Sequence, residues 1–171
     1  QIELVAGGPV VSRLVFGAWR LLDDGRPTPA DVARLIGTAV DLGLTSIDHA
    51  DIYGNYEVEE AFGAGLARWS GRREDIQLVS KCDIMLKSAN RPANRLKFYD
   101  TSAAHITASA ERSLKNLGTD YLDLLLIHRP DPLMDAEETA AALEKLVTAG
   151  KVRAIGVSNF TPSQFDLLAS R

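Results

Sequence analysis

The segment "GAWRLLDDGRPTPAD", residues 17–31, separates the first apolar run of the chain from its first helical pattern. Two architectures compete for a chain of alternating strands and helices, and this segment discriminates between them. A doubly wound open sheet normally carries a Gly-rich, phosphate-binding turn directly after its first strand. Glycine occurs here only at Gly17 and Gly25, and no Gly-x-Gly-x-x-Gly is present. A closed (β/α)8 TIM barrel is therefore favoured. Upstream, "IELVAGGPVVSRLV" (2–15) predicts a hairpin about Gly7-Gly8 that caps the bottom of the barrel. Downstream, Thr28 is the N-cap and Pro29 the first residue of a helix that stops at Gly43.

The alternation continues to the end of the chain. Strands are predicted in "RLVFGAW" (13–19), "LTSID" (44–48), "DIQLVSK" (75–81), "YLDLLLIH" (121–128) and "VRAIGVSNF" (152–160). Helices are predicted in 28–43, 56–69, 101–118 (stopped by Gly118), 135–150 (capped by Asp135) and from Thr161-Pro162 onward. A repeat of roughly 30 residues with short Leu/Ile/Val-rich strands is the signature of βα units around a parallel sheet.

Bulk properties narrow the function. The 171 residues are 46% hydrophobic and 25% charged, which suits one globular domain. The net charge of −4 argues against a nucleic-acid partner. Cys82 is the single cysteine, so no internal disulfide framework exists and a reducing, cytoplasmic location is expected. No apolar run reaches the roughly 18 residues of a membrane span. His49 and His105 lack partners at metal-ligand spacing, and no metal site is expected.

Asp48, Lys81, His128 and the pair Ser158-Asn159 each fall where a predicted strand ends. In a barrel these ends open onto one face, where chemistry is placed. Tyr53 lies just beyond Asp48. Tyrosine is a poor acid, with a free pKa of about 10. Lys81 is the cation that eases proton release from it, and Asp48 is the counter-ion that fixes the lysine. His128 can hydrogen-bond the same reacting oxygen, and Tyr53 then serves as a general acid toward a carbonyl oxygen.

The segments "GLTSIDHADIYG" (43–54), "LVSKCD" (78–83), "YLDLLLIHRPDP" (121–132) and "GKVRAIGVSNF" (150–160) closely resemble the aldo-keto reductases, in the family's order and at family-like spacing. The resemblance covers essentially residues 2–171 and is nearest to a bacterial subgroup. It implies NADPH-linked reduction of an aldehyde or ketone, with NADP(H) as cofactor, a small carbonyl compound as substrate and no metal. It assigns the catalytic tetrad to Asp48, Tyr53, Lys81 and His128. It assigns carboxamide contacts to Ser158 and Asn159, and places Gly17, Ala18 and Trp19 along cofactor and substrate.

One departure accompanies the match. A (β/α)8 barrel takes about 250 residues. The expectation is therefore a single domain over 1–171, the N-terminal five βα units of a longer reductase domain, truncated after the fifth strand. Its open edge would be prone to self-association. Two other functions fit parts of the pattern: a slow, cofactor-sensing auxiliary subunit on the same fold, and an aldolase-type barrel with Lys81 as Schiff-base former. The basic loop "MLKSANRPANRLKFYD" (85–100) reads equally as a solvated loop and as a gate over the substrate.

Overall fold

A computed structural model describes all of residues 1–171. Five parallel strands form one sheet in the order β3 (Phe16–Gly17), β4 (Ser46–Asp48), β5 (Gln77–Cys82), β8 (Leu124–Ile127) and β9 (Ile155–Val157). Each strand is followed by a helix before its next neighbour: α1 (Pro29–Asp41), α3 (Val58–Leu66), α4 (Ala103–Leu117), α5 (Ala136–Thr148) and α6 (Pro162–Ala169). Consecutive helices pack on one another in the same sequence. The result is an arc of five consecutive βα units, as the alternation predicts. β3 and β9 each have a strand neighbour on one side only. No helix is long and apolar enough to cross a membrane.

Local chemistry sets the helix ends. The Thr28 hydroxyl accepts from the Asp31 amide while the Asp31 carboxylate accepts from the Thr28 amide, and Thr161 and Gln164 repeat the arrangement. Ser102 and Asp135 cap α4 and α5. Gly118 ends α4 in the left-handed conformation.

The hairpin is found as β1 (Ile2–Glu3) against β2 (Val10–Val11). It is fastened to the start of β4 by a reciprocal pair: the Ser12 amide donates to Ser46 Oγ at 2.8 Å, and the Ser46 amide donates to Ser12 Oγ at 3.0 Å. It therefore sits at the bottom of the sheet, as expected.

The observed strands are shorter than their sequence patterns. The first spans two residues rather than seven, because Leu14 and Val15 lie on an exposed edge without a ladder partner. An element that the sequence did not disclose is a small antiparallel pair, β6 (Ile84–Met85) with β7 (Phe98–Tyr99), which joins the two ends of the basic loop.

The core lies between sheet and helices, built from Ile47, Leu78, Leu125 and Ile127 against Val32, Ile36, Phe62, Ile106 and Leu143. Its tightest approach is at Gly63 of α3. A Cβ there would stand 2.0 Å from the Asn116 carbonyl oxygen of α4. Glycine is required by this backbone contact. Gly63→Ala is expected to cost about 1–3 kcal/mol, as overpacking does. Urea denaturation measures it; an unchanged midpoint would show that α3 and α4 separate freely.

Candidate active site

The parallel register carries the predicted polar residues to one end of the sheet. Gly17 pairs with Asp48, Asp48 with Val79, Lys81 with Leu126 and Ile127 with Val157. Asp48 is the last residue of β4, Lys81 the penultimate residue of β5, and His128 follows β8 directly. Lys81 stands two residues beyond the partner of Asp48. Its side chain therefore leaves on the same face as Val79 and meets the carboxylate.

The lysine ammonium donates to Asp48 Oδ1 at 2.6 Å and Oδ2 at 2.7 Å, to the His49 carbonyl at 2.8 Å and to Tyr53 Oη at 3.0 Å. The lysine side chain is 8% exposed and that of Asp48 29%. With all its protons engaged, Lys81 offers no lone pair to a carbonyl carbon, which disfavours the Schiff-base reading. The Tyr53 hydroxyl donates to Asp48 Oδ2 over a long 3.3 Å. Lys81 therefore donates into the phenol oxygen, while the phenolic proton is held only weakly.

A tight turn brings the phenol back over the sheet. Tyr53–Tyr56 (α2) is one turn, with Gly54, Asn55 and Tyr56 all at positive φ. The side chain of Tyr56 is buried, and its hydroxyl accepts from the Leu86 amide at 2.7 Å, docking the basic loop onto this turn. Asn90 donates to the Asn55 carbonyl, and the Arg91 guanidinium lies over the Tyr56 ring. A pocket of about 490 Å³ opens beside the turn, lined among others by Trp19, Tyr53, Leu86, Lys97, His128 and Arg129. The basic loop is thus a wall of this pocket. A larger groove of about 920 Å³ runs along α1 and Trp69, away from these residues.

His128 faces Tyr53, ring centroids 6.2 Å apart and nearly perpendicular. Burial, aided by Lys81, Arg129 and Lys97, lowers its pKa to about 4, so the ring is neutral at pH 7. Nδ1 is buried without a partner. A proton on Nε2 is then available to an oxygen in the pocket.

Ser158 and Asn159 follow β9 at the same end. Asn159 Nδ2 donates to the His128 carbonyl at 3.1 Å and to Ser158 Oγ at 2.8 Å. The Ser158 hydroxyl proton and Asn159 Oδ1 have no protein partner. One free donor and one free acceptor match what a primary carboxamide requires. Gly17 has open space where a Cβ would stand. Ala18 is wholly buried, backbone included, and does not line the open pocket, whereas Trp19 is 63% exposed with its ring 6.3 Å from that of Tyr53. No cluster of His, Cys, Asp or Glu is arranged to hold a metal.

Sequence reasoning overlooked three buried acids, Asp51 and Asp83 just past the ends of β4 and β5 and Glu59 in α3. Asp51 accepts from Ser109 Oγ at 2.7 Å and Glu59 from Ser80 Oγ at 2.7 Å. Asp83 has no exposed surface and accepts from the Arg129 amide at 3.0 Å. Burial raises all three, Asp51 to about 7 and Asp83 to about 8. The available signal was Glu59 at an inward position of an apolar helix pattern.

Residues 13–170 match the sequence model of the aldo/keto reductase family. The chain is 51% identical over 160 residues to a 6-dehydroglucose reductase of Agrobacterium fabrum, covering 94% of this chain and 54% of that protein. It is 51% identical over 171 residues to the oxidoreductase YdhF of Escherichia coli, covering 100% of this chain and 56% of that one. The fold superposes on a glycerol dehydrogenase from Gluconobacter oxydans with TM-score 0.78 and 33% identity, covering 94% of this chain and 48% of that structure. It superposes on the holo form of an aldo-keto reductase from Bacillus halodurans with TM-score 0.78 and 30% identity, covering 94% and 50%. The chain thus spans about half the length of the curated relatives it matches.

The titrating groups yield a stability prediction. Asp51 and Asp83 have raised folded-state values. Their stabilisation is complete below the unfolded value near 4 and is lost as pH rises through 7 and 8. His128, and His49 at about 3, have lowered values; their stabilisation is complete above 6.5 and is lost as pH falls. The two effects oppose each other between about pH 4 and 6.5, and only the acids act above that. Thermal unfolding should show a plateau near pH 6 and a loss on the order of 2 kcal/mol between pH 6.5 and 8.5. Asp83→Asn should remove much of that loss. A rising Tm over the same interval would contradict the neutral buried acids.

From fold register, site geometry and sequence match together, the chain belongs to the aldo/keto reductase family.

Proposed function

We propose that residues 1–171 are the N-terminal five βα units of one reductase domain and carry the proton-donating half of an NADPH-dependent reduction of an aldehyde or ketone to an alcohol. The observation that carries this reading is the contact of Lys81 Nζ with both Asp48 oxygens and Tyr53 Oη within 3.0 Å, beside a neutral His128.

In this reading the carbonyl oxygen of the substrate enters the pocket between Tyr53 and His128. His128 donates through Nε2 and orients it. The Tyr53 proton turns from its long contact with Asp48 toward that oxygen. As the proton leaves, the Lys81 ammonium already donates into the phenol oxygen and stabilises the phenolate that forms. Asp48 holds the ammonium in place from its far side. Ser158 and Asn159 would hold the nicotinamide by its carboxamide, with Gly17 leaving room beside it. Reduced nicotinamide, when bound, supplies the hydride. Preference for NADPH over NADH follows from the family resemblance.

The two 6-dehydroglucose reductases among the relatives make 6-dehydroglucose the first substrate to assay. NADPH should quench the fluorescence of Trp19 with micromolar affinity, and turnover should follow NADPH absorbance. Tyr53→Phe should lower kcat by at least roughly a hundredfold, and Lys81→Met by a similar factor, with little change in NADPH affinity. Wild-type turnover in Tyr53→Phe would exclude the phenol as proton donor. Absence of any NADPH binding would exclude the cofactor for this chain.

A further inference from the structure

Asp83 is out of place by every local rule. It has φ 105, a left-handed conformation that glycine adopts freely and an aspartate only at a cost in strain. It also brings a carboxyl group into a site with no solvent exposure. Of its two oxygens, Oδ1 has no partner and Oδ2 accepts from the Arg129 amide.

The reason lies in where the sheet stops. The β5–β8 ladder ends with Cys82 opposite Ile127, and the Cys82 carbonyl accepts from the His128 amide at 2.9 Å. That bond is backbone to backbone and any side chain would allow it. The next amide, that of Arg129, has no strand carbonyl to meet. The Asp83 side chain supplies the acceptor instead and carries the grip one residue past the end of the ladder. The Asp83 carbonyl accepts in turn from the Asp100 amide at 2.9 Å, closing the base of the basic loop.

The ring of His128 has no hydrogen bond of its own to a protein group. Its orientation rests on backbone bonds: its amide to Cys82, its carbonyl to Asn159, and the following amide to Asp83. We propose that Asp83 is a positioning residue for His128, fixing the imidazole by holding the Arg129 backbone amide. The proposal rests on the reading of His128 as the group that orients the carbonyl. The raised pKa of Asp83 fits this role: near pH 7 the acid is neutral, with Oδ2 free to accept, and asparagine is its close analogue.

The test is read on His128 itself, without turnover, so it stands apart from the success or failure of the reductase reading. The imidazole of His128 is followed by NMR in the 171-residue chain. Asp83→Gly removes the acceptor and relieves the strained φ, so the thermal midpoint should stay near that of the unmodified chain. The His128 ring signals should nonetheless shift and broaden, and their titration midpoint should rise from about 4 by a unit or more as the ring gains solvent. Asp83→Asn, which keeps an acceptor at the same reach, should restore the original signals. If Asp83→Gly fails to fold, Asp83→Ser takes its place, its hydroxyl one bond shorter than the carboxyl oxygen. Unchanged His128 signals in the variant without the acceptor would overturn the proposal. So would equal changes in Asp83→Asn, because the fold would then need the charge or the exact side chain and not the acceptor.

Discussion

A lysine almost without solvent exposure inside a parallel sheet is the constraint on which this end of the molecule depends. Leaving the Lys81 ammonium without its counter-charge would cost about 3–5 kcal/mol, a large share of the stability of a small domain. The register meets that demand. β4 must end at Asp48, and β5 must run two residues past it, for the carboxylate and ammonium to face each other. Once the ion pair is fixed, the His49 carbonyl and Tyr53 hydroxyl complete the lysine's hydrogen bonds. The turn after β4 is therefore bound to the same charge. The geometry that suits proton transfer is the one that makes the buried lysine tolerable.

This coupling explains why the central site was legible in the sequence. Asp48, Lys81 and His128 interrupt apolar runs at their C-terminal ends, and the continuous apolar pattern of strands buried on both faces makes such interruptions visible. Tyr53 was legible only through its spacing from Asp48. The alternation of strands and helices gave the βα arrangement, since buried parallel strands leave continuous apolar runs. Strand lengths were not legible. Pairing depends on a neighbour, and β3 and β9 have a neighbour on one side alone. The small β6–β7 pair was hidden because its residues lie at the two ends of a basic, proline-containing loop with no alternation.

The buried acids escaped for a different reason. Asp51 lies within "HADIYG", where a charged residue reads as part of a loop, and Glu59 sits beside Glu60 in a helix whose exposed face also carries acids. What places Asp51 and Glu59 inside is a hydroxyl on a distant element, Ser109 or Ser80. Sequence spacing cannot show a partner 58 or 21 residues away. Asp83 is harder still, because its partner is a backbone amide that leaves no mark in the sequence. Burial raises the pKa of all three; near pH 7 Asp83, at about 8, is mostly neutral and costs desolvation of a carboxylic acid rather than of a full charge.

Backbone strain has the same distribution as the chemistry. The four non-glycine residues at positive φ are Asn55, Tyr56, Asp83 and Asn159. They follow β4, β5 and β9, all at the end of the sheet that holds the tetrad. At the other end, left-handed positions are filled by Gly7, Gly43, Gly118 and Gly150, and at the tetrad end Gly25 and Gly54 fill two more; all adopt them without that cost. A chain selected for stability alone would put glycine at all of these positions. At three of the four strained positions the side chain makes a contact: Tyr56 holds the basic loop, Asp83 the segment after His128, and Asn159 the His128 carbonyl, whereas Asn55 meets the loop through its backbone carbonyl. The strain thus maps the residues that restrain the pocket, and it does so independently of any comparison with other proteins.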